Sequence, residues 1–336
     1  MQPILSICIP TYNGFDVLKE NLMVLMPQLK SHEDSIEVII NDNASTDNSG
    51  HKLEKIINEN GWNIDLKINH ENIGSKNNFK DIVKRSKGNY IYLLGDDDLL
   101  SPNFIEIIFP ILQLNKYSLV HFNRLSGNEN WSYNRLFDRT FNALMEELSF
   151  NQFVKRVYEG PTFISSIIFK RDVWNKGDKL IQPDTYFGYD FLAHIYLGAS
   201  DTLCLYYYLP LVIMRSPWKP WSQKRLIYAL ELCNLFSVLD KSNQGLFSLW
   251  KRHIIMSPYF DFHKLLHLIA LEREMHRPHR KNFEKFCSTK KEKFALKFLY
   301  GFPNGKFTSK IYLTALRIYR LFTGKYLMLR KTNAYS

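Results

Sequence analysis

Cysteine is scarce in these 336 residues: Cys8, Cys204, Cys233 and Cys287 lie far apart, with no Cys-x-x-Cys pair and no metal-ligand spacing. That excludes a disulfide framework or a structural zinc site and predicts reduced core thiols in a cytoplasmic protein. Long apolar runs are missing too. The stretch Thr202 to Met214 is too short to cross a bilayer and carries Pro210. Met1 to Pro10 have no basic n-region, so no secretory signal is expected. No Gly-x-Gly-x-x-Gly follows the first apolar run, and no Gly-Lys-Ser/Thr loop occurs anywhere. The usual dinucleotide fingerprint and the phosphate-binding P-loop are thereby excluded. With 45% hydrophobic and 15% aromatic residues, the chain nonetheless has the means to bury a large core.

Excess positive charge is absent from most of the chain. Residues 1–263 hold 27 Lys+Arg against 29 Asp+Glu, whereas residues 264–336 hold 17 against 4, so the net +11 arises entirely in the tail. Within that tail, Lys310 to Leu327 has helical periodicity. At about 100° per residue, Ile311, Tyr312, Ala315, Ile318, Tyr319 and Phe322 share one face, and Lys310, Arg317, Arg320 and Lys325 the other. Such a helix suits either an anionic membrane surface or docking on its own protein with the basic face in water.

In chain order, Ile4–Ile9, Ile36–Ile40, Ile64–Ile68 and Tyr90–Leu94 read as short buried strands. Helical patterns separate them: Asp16–Leu29, a segment ending near Glu59, and one opening at Asn72-Ile73-Gly74 and running to Lys87. Alternation of this kind predicts an α/β fold with a mostly parallel, Rossmann-like sheet. Further on, Ser118–Arg124, Ile164–Lys170 and Tyr206–Met214 read as strands, residues 126–149 as a polar excursion, and Arg171–Lys176 as a short helical turn. Beyond Leu226 the pattern is helical, with Tyr228, Leu232, Leu235 and Leu239 forming one apolar stripe.

Chemistry concentrates where the strands end. Tyr90 to Leu94 stops at Gly95, and Asp96, Asp97 and Asp98 follow without a gap. Ser101-Pro102 then reads as an N-cap with proline at the first helical position. Three adjacent carboxylates repel one another, and a hard divalent cation shared with a substrate phosphate would relieve them; a solvated acidic turn is the plainer alternative. Thr11-Tyr12-Asn13 and Asp42 to Asp47 close the first two strands. Tyr12 can stack on a base, and Asp42 can accept a hydrogen bond from a base N–H or ribose hydroxyl. Together these loops point to a nucleotide-diphosphate site at the carboxyl edge of the sheet.

The runs Ser-Ile-Cys-Ile-Pro-Thr-Tyr-Asn, Ile-Ile-Asn-Asp-Asn-Ala-Ser-Thr-Asp, Asn-Ile-Gly-Ser-Lys-Asn-Asn and Leu-Gly-Asp-Asp-Asp occur in that order within about the first 100 residues. They resemble glycosyltransferase family 2 with its GT-A fold. The Gly-Asp-Asp-Asp form, with Phe163-Ile-Ser-Ser-Ile-Ile-Phe-Lys170 downstream, resembles its abequosyltransferase-like branch, which builds bacterial O-antigen side branches. The resemblance implies that Pro10, Thr11 and Tyr12 line the base, that Asp42 contacts base or ribose, and that Asp97 and Asp98 are the metal- and sugar-contacting pair, with Asp98 the ligand of Mg²⁺ or Mn²⁺. Asn72 and Asp96 are further donor-site candidates, and Asp96 is a second candidate metal ligand. Asp190 of Tyr189-Asp190 matches the catalytic Asp of a Glu-Asp pair, although its Glu is missing, which leaves the stereochemistry open; His194, one turn on, is the reserve base. Arg215, in Arg-Ser-Pro-Trp-Lys-Pro-Trp-Ser, is a candidate diphosphate clamp.

The implied function is transfer of a sugar from a nucleotide-diphosphate sugar to a lipid-linked saccharide, in O-antigen or capsule synthesis. Lipid-linked acceptors favour the membrane reading of the basic tail, placing the protein on the inner face of the cell membrane. The expected layout is a catalytic domain over 1–222, with its nucleotide-sugar half at 1–100 and acceptor half at 101–222, followed by a basic helical appendage over 223–336. Two rivals are a sugar nucleotidyltransferase, which would carry a Gly-rich basic loop where Pro10 to Asn13 stands, and a nucleic-acid-binding protein. Few signs of a nucleic-acid motif accompany the basic residues, so no nucleic acid is expected.

Overall fold

In a computed structural model, the described residues are 2–126, 144–157, 163–181, 190–200 and 202–215, with Leu235, Leu239, Lys290 and Lys293 as isolated positions. Nine strands form one sheet: β1 (Leu5–Thr11), β2 (Ile36–Asp42), β3 (Ile64–Ile68), β4 (Tyr90–Leu93), β5 (Leu99–Leu100), β6 (Leu119–Ser126), β7 (Met145–Ser149), β8 (Ile167–Lys170) and β9 (Leu203–Met214). Seven helices accompany them among the described residues: α1 (Phe15–Leu29), α2 (Ser49–Asn60), α3 (Gly74–Arg85), α4 (Phe104–Gln113), α5 (Phe150–Arg156), α6 (Arg171–Leu180) and α7 (Asp190–Gly198).

The strand order is β3-β2-β1-β4-β8-β6-β9-β5, with β7 also on β9. The first four strands are parallel, joined by helical crossovers as the alternating pattern predicts. The second half is mixed. β8 runs antiparallel to β4 and β6, β6 is parallel to β9, and β5 and β7 share the far edge of β9.

Period-two alternation sends successive side chains into two cores, one on each face of the sheet. Leu5, Ile7, Ile9, Tyr90, Tyr92 and Leu94 meet α1, α2 and α4 residues such as Leu18, Leu22, Leu53 and Phe104. Cys8, Ile39, Ile91 and Leu93 face the other way, against Ile82, Phe153, Trp174 and Leu192. Each fully buried Leu, Ile or Phe contributes about 1.5–3 kcal/mol, so both cores press the sheet into a rigid platform. Burial raises the Cys8 and Cys204 thiols to about 12, which keeps them unreactive.

Four expectations need correction. Ser101-Pro102 does not start a helix: Leu99 and Leu100 are drawn into pairing with Ile213 and Val212, the Ser101 amide donates to Leu211, and a turn intervenes before α4. Ile164–Ser166 form a 3₁₀ turn rather than strand, because Ser165 and Ser166 are committed to side-chain bonds. α6 runs ten residues, well past the short turn read at Arg171–Lys176. The polar excursion contains β7, whose five residues extend the far edge of β9.

Ser216 to Ser222 and the helix read at Lys310 to Leu327 lie outside the described residues. Of the stripe beyond Leu226, Leu235 and Leu239 are helical and buried in the α6–α7 core. No helix among the described residues is long and apolar enough to cross a membrane.

Candidate active site

The carboxyl ends of β1, β2 and β4 bring the predicted donor residues to one edge. Thr11, the last residue of β1 and 3% exposed, donates its hydroxyl to Asp96 Oδ2 at 2.8 Å, tying two motifs 85 residues apart in sequence. Gly14 makes this approach possible. A Cβ there would stand 2.3 Å from Asp96 Oδ2 and 2.8 Å from Thr11 Oγ1, closer than a real side chain tolerates. Pro10 is half-buried beside Thr11, and Tyr12 stands 42% exposed, its ring available for stacking.

Asp42 ends β2, almost fully buried. Its Oδ2 accepts the Ser45 amide at 3.0 Å and its Oδ1 the Ser45 hydroxyl, so the carboxylate shapes its own loop. Ala44 sits in the left-handed region at φ 57°, as the tight return after Asp42 requires. Asn43 extends the edge toward α3: its Nδ2 donates to exposed Asn72 Oδ1 at 2.9 Å, and its Oδ1 accepts from Ile73 and Asn69. Asn72 Oδ1 also accepts the Gly74 amide at 2.9 Å, fixing the first turn of α3.

The acidic loop is held from within. Asp96 and Asp98 are buried, while Asp97 is half-buried. Ser165 donates its hydroxyl to Asp98 Oδ2 at 2.5 Å and accepts the Gly95 amide at 2.8 Å, and Tyr92 donates its phenol to the Ser165 carbonyl at 2.7 Å. Burial first, and the Asp98 charge second, raise the Tyr92 phenol well above its ordinary value, so it remains a donor. Ser166 donates to the Phe163 carbonyl at 2.9 Å. Its oxygen thus accepts from His121 Nε2 at 3.2 Å, leaving the buried His121 Nδ1 without a partner among the described residues.

Arg215, expected over the donor, meets the loop from the protein side. Its Nε donates to the Asp97 carbonyl at 2.9 Å, its Nη2 to the Val17 carbonyl at 2.9 Å, and its Nη1 pairs with Glu20. Of the five N–H groups of a guanidinium, three are thus engaged among the described residues.

Asp190 opens α7 and is 7% exposed. Oδ2 lies 3.3 Å from Lys76 Nζ, and buried Oδ1 has no hydrogen-bond partner among the described residues. His194 is ill placed as a reserve base. It is 1% exposed, stacks on Trp174 with ring centroids 4.3 Å apart, and sets Nδ1 against the Asp190 carbonyl and Nε2 against Asp178. Burial lowers its basicity.

The reading by sequence missed Gly14, Ser165 and Lys76 as contributors. Gly14 carries no local signal, since a glycine after Asn suits any loop; Ser165 and Lys76 lay within family motifs with no role attached. Among the described residues no group of three or more His, Cys, Asp or Glu gathers as a metal site.

The Glycosyl transferase family 2 model matches residues 6–189, more than half of the chain. Abequosyltransferase RfbV of Salmonella typhimurium is 28% identical over 228 residues, covering 63% of this chain and 67% of that protein. Glycosyltransferase GlyG of Streptococcus pneumoniae is 24% identical over 250 residues, 70% and 79% respectively. The S. aureus TarS 1-349 structure in complex with UDP-GlcNAc superposes with a TM-score of 0.53 at 15% identity, covering 89% of this chain and 79% of that one. Mannosyltransferase PcManGT from Pyrobaculum calidifontis, in complex with GDP-Man and Mn²⁺, gives 0.51 at 14% identity, with 96% and 82% covered. At such identities the superpositions speak to the fold alone, the GT-A arrangement that the motifs led us to expect. The match of the family model over strands β1 to β8 settles the membership: the chain belongs to glycosyl transferase family 2.

Proposed function

We propose that this glycosyltransferase moves a sugar from a nucleotide-diphosphate sugar to a hydroxyl of a lipid-linked saccharide during synthesis of a bacterial surface polysaccharide, either O-antigen or capsule. The observation that carries the donor half is the Thr11–Asp96 hydrogen bond, which draws the base-side loop and the acidic loop together at one sheet edge. In this reading Pro10, Thr11 and Tyr12 receive the base, Asp42 and Asn72 the base or ribose, and Asp96 and Asp97 the diphosphate sugar. The nucleotide sugars in the two solved neighbours support this class of donor. The abequosyltransferase relative supports a place in surface-polysaccharide synthesis.

The carboxylates suit a divalent cation, as the Mn²⁺ in the PcManGT complex suggests. Asp98 and Asp96 offer hard oxygen ligands on a braced loop, and Mg²⁺ or Mn²⁺ commonly takes one or two carboxylates plus substrate phosphate oxygens rather than a full protein cage. When bound, the cation neutralises charge on the leaving diphosphate.

Asp190 is the proposed base. Its Oδ1, without a partner among the described residues, is costly to bury, and an acceptor hydroxyl would satisfy it. The hydroxyl oxygen then bonds to the anomeric carbon, the bond from that carbon to the diphosphate breaks, and the proton passes to Oδ1. One displacement of this kind inverts the anomeric centre. Residues 1–222 form the catalytic domain in this proposal. Residues 223–336, with the amphipathic Lys310–Leu327 segment, hold it to the anionic inner face of the membrane.

Thermal-shift screening tests the donor assignment with UDP, GDP, CDP, dTDP and their sugars, each with and without MnCl₂. One nucleotide family should raise the melting temperature, more so with Mn²⁺, and its sugar should enter lipid extracted from membranes. No shift from any member of the panel would overturn the reading.

A further inference from the structure

Lys76 has no place in the mechanism above, yet it touches the proposed base. It lies in the first turn of α3, and its Nζ is 3.3 Å from Asp190 Oδ2 across the α3–α7 contact. The two ends of the pair differ sharply in exposure, with side chains 40% and 8% exposed. Other charged or titratable groups near Asp190 are engaged elsewhere. His194 on α7 sets Nδ1 2.7 Å from the Asp190 carbonyl. Asp178 on α6 lies 3.1 Å from His194 Nε2 and 3.5 Å from Lys80 of α3. Among the described residues, Lys76 is thus the cation seen directly on the Asp190 carboxylate.

The grip is one-sided. Oδ2 is held by the ammonium, while Oδ1 is buried and unpartnered among the described residues. A carboxylate clamped through one oxygen loses its rotational freedom and presents the other in a fixed direction. Lys76 is itself indexed to the donor edge, because α3 begins where Asn72 receives both the Gly74 amide and the Asn43 side chain that follows Asp42.

We propose that Lys76 is a positioning residue for Asp190: its ion pair occupies Oδ2 and leaves Oδ1 facing the acceptor hydroxyl, and its place on α3 ties the orientation of the base to the loop that seats the donor. This inference rests on Asp190 being the base, and its test separates the two. Lys76→Met keeps the length of the stem and removes the charge; Lys76→Gln serves if that variant folds poorly. Both are compared with Lys76→Arg, Asp190→Asn and the Lys76→Met/Asp190→Asn double variant. The assay uses the sugar nucleotide of the screened panel that gives the largest thermal shift.

Lys76→Met should lower kcat by about 10–100-fold, part of the 10²–10⁴ that a general base supplies, with the donor KM nearly unchanged. Lys76→Arg should recover most of the lost turnover. The double variant should be no slower than Asp190→Asn alone, since residues acting as a unit are non-additive. Three results overturn the inference: unchanged kcat in Lys76→Met, an equal further loss in the Asp190→Asn background, or a raised donor KM with kcat preserved. Should Asp190→Asn itself keep near-normal turnover, the base assignment falls and this inference falls with it. An inactive Asp190→Asn beside an unimpaired Lys76→Met removes only the inference.

Discussion

Ser165 is where the structure makes its most quantitative demand. Its hydroxyl bridges the acidic loop, donating to Asp98 Oδ2 at 2.5 Å and accepting the Gly95 amide at 2.8 Å, with no solvent exposure. Ser165→Ala deletes both bonds and leaves the half-buried Gly95 N–H without that acceptor. A neutral hydrogen bond contributes about 0.5–1.5 kcal/mol and one to a charged group about 1.5–3, so the expected loss of stability is about 2–4.5 kcal/mol. At about 1.4 kcal/mol per tenfold, the folded-to-unfolded ratio falls by a factor of roughly 30 to 1,600. Urea unfolding at pH 7, followed by circular dichroism, reads this directly. Turnover should fall as well, because Asp98 loses the contact that aims it. Ser166→Ala is the matched control: it gives up bonds to Phe163 and His121 but none to Asp98, so it should destabilise while sparing the Mn²⁺-enhanced nucleotide response. A Ser165→Ala protein within about 0.5 kcal/mol of the parent, with full turnover, would refute the bracing role.

Asp98→Asn should abolish transfer while the protein still unfolds cooperatively; persistent turnover insensitive to EDTA would remove the cation from the mechanism. Burial of His121, aided by the Arg124 charge, lowers its pKa from 6.5 to about 3. The unfolded chain therefore binds the extra proton first, and the His121 contribution, complete above pH 6.5, drains away as pH falls toward 3. Stability between pH 6.5 and 4.5 should drop by about 2–3 kcal/mol from this group, and His121→Asn should flatten that part of the urea-midpoint profile. The tail should sediment the protein with vesicles containing anionic lipid, with partial release by high salt. Lys310→Glu, Arg317→Glu and Arg320→Glu together should release it without harming nucleotide binding, and equal binding to neutral and anionic vesicles would refute the electrostatic attachment.

Local signals carried much of the first hundred residues. Apolar runs such as Ile36–Ile40, each closed by a polar loop, are short-range patterns, and β1 to β4 appear within one or two residues of where they predict. Contacts remote in sequence stayed hidden. Leu99-Leu100 reads as the lead-in to a helix until β9 arrives to pair with it. Ile164 to Lys170 reads as one strand, and only the demands of Gly95, Asp98 and His121 explain why its serines turn. Arg215 reads as a candidate diphosphate clamp, and nothing local announces its partners Val17 and Glu20, nearly two hundred residues upstream. The residues that bear charge could be named from the chain; those that aim them could not.

The closure of the acidic loop by β9 has a consequence for how this enzyme comes into being. Leu99–Leu100 pair with Val212–Ile213, and Arg215 then pins the Asp97 carbonyl to α1. During synthesis at about 5–20 residues per second, β1 to β4 emerge early, but the strand and guanidinium that fasten Asp96–Asp98 arrive over a hundred residues later. Until they emerge, the acidic loop has its Thr11 bond but lacks the β9 pairing and the Arg215 contact. A chain cut after residue 100 would retain the four family motifs yet lack the strand pairing and the Arg215 bonds that close over the acidic loop.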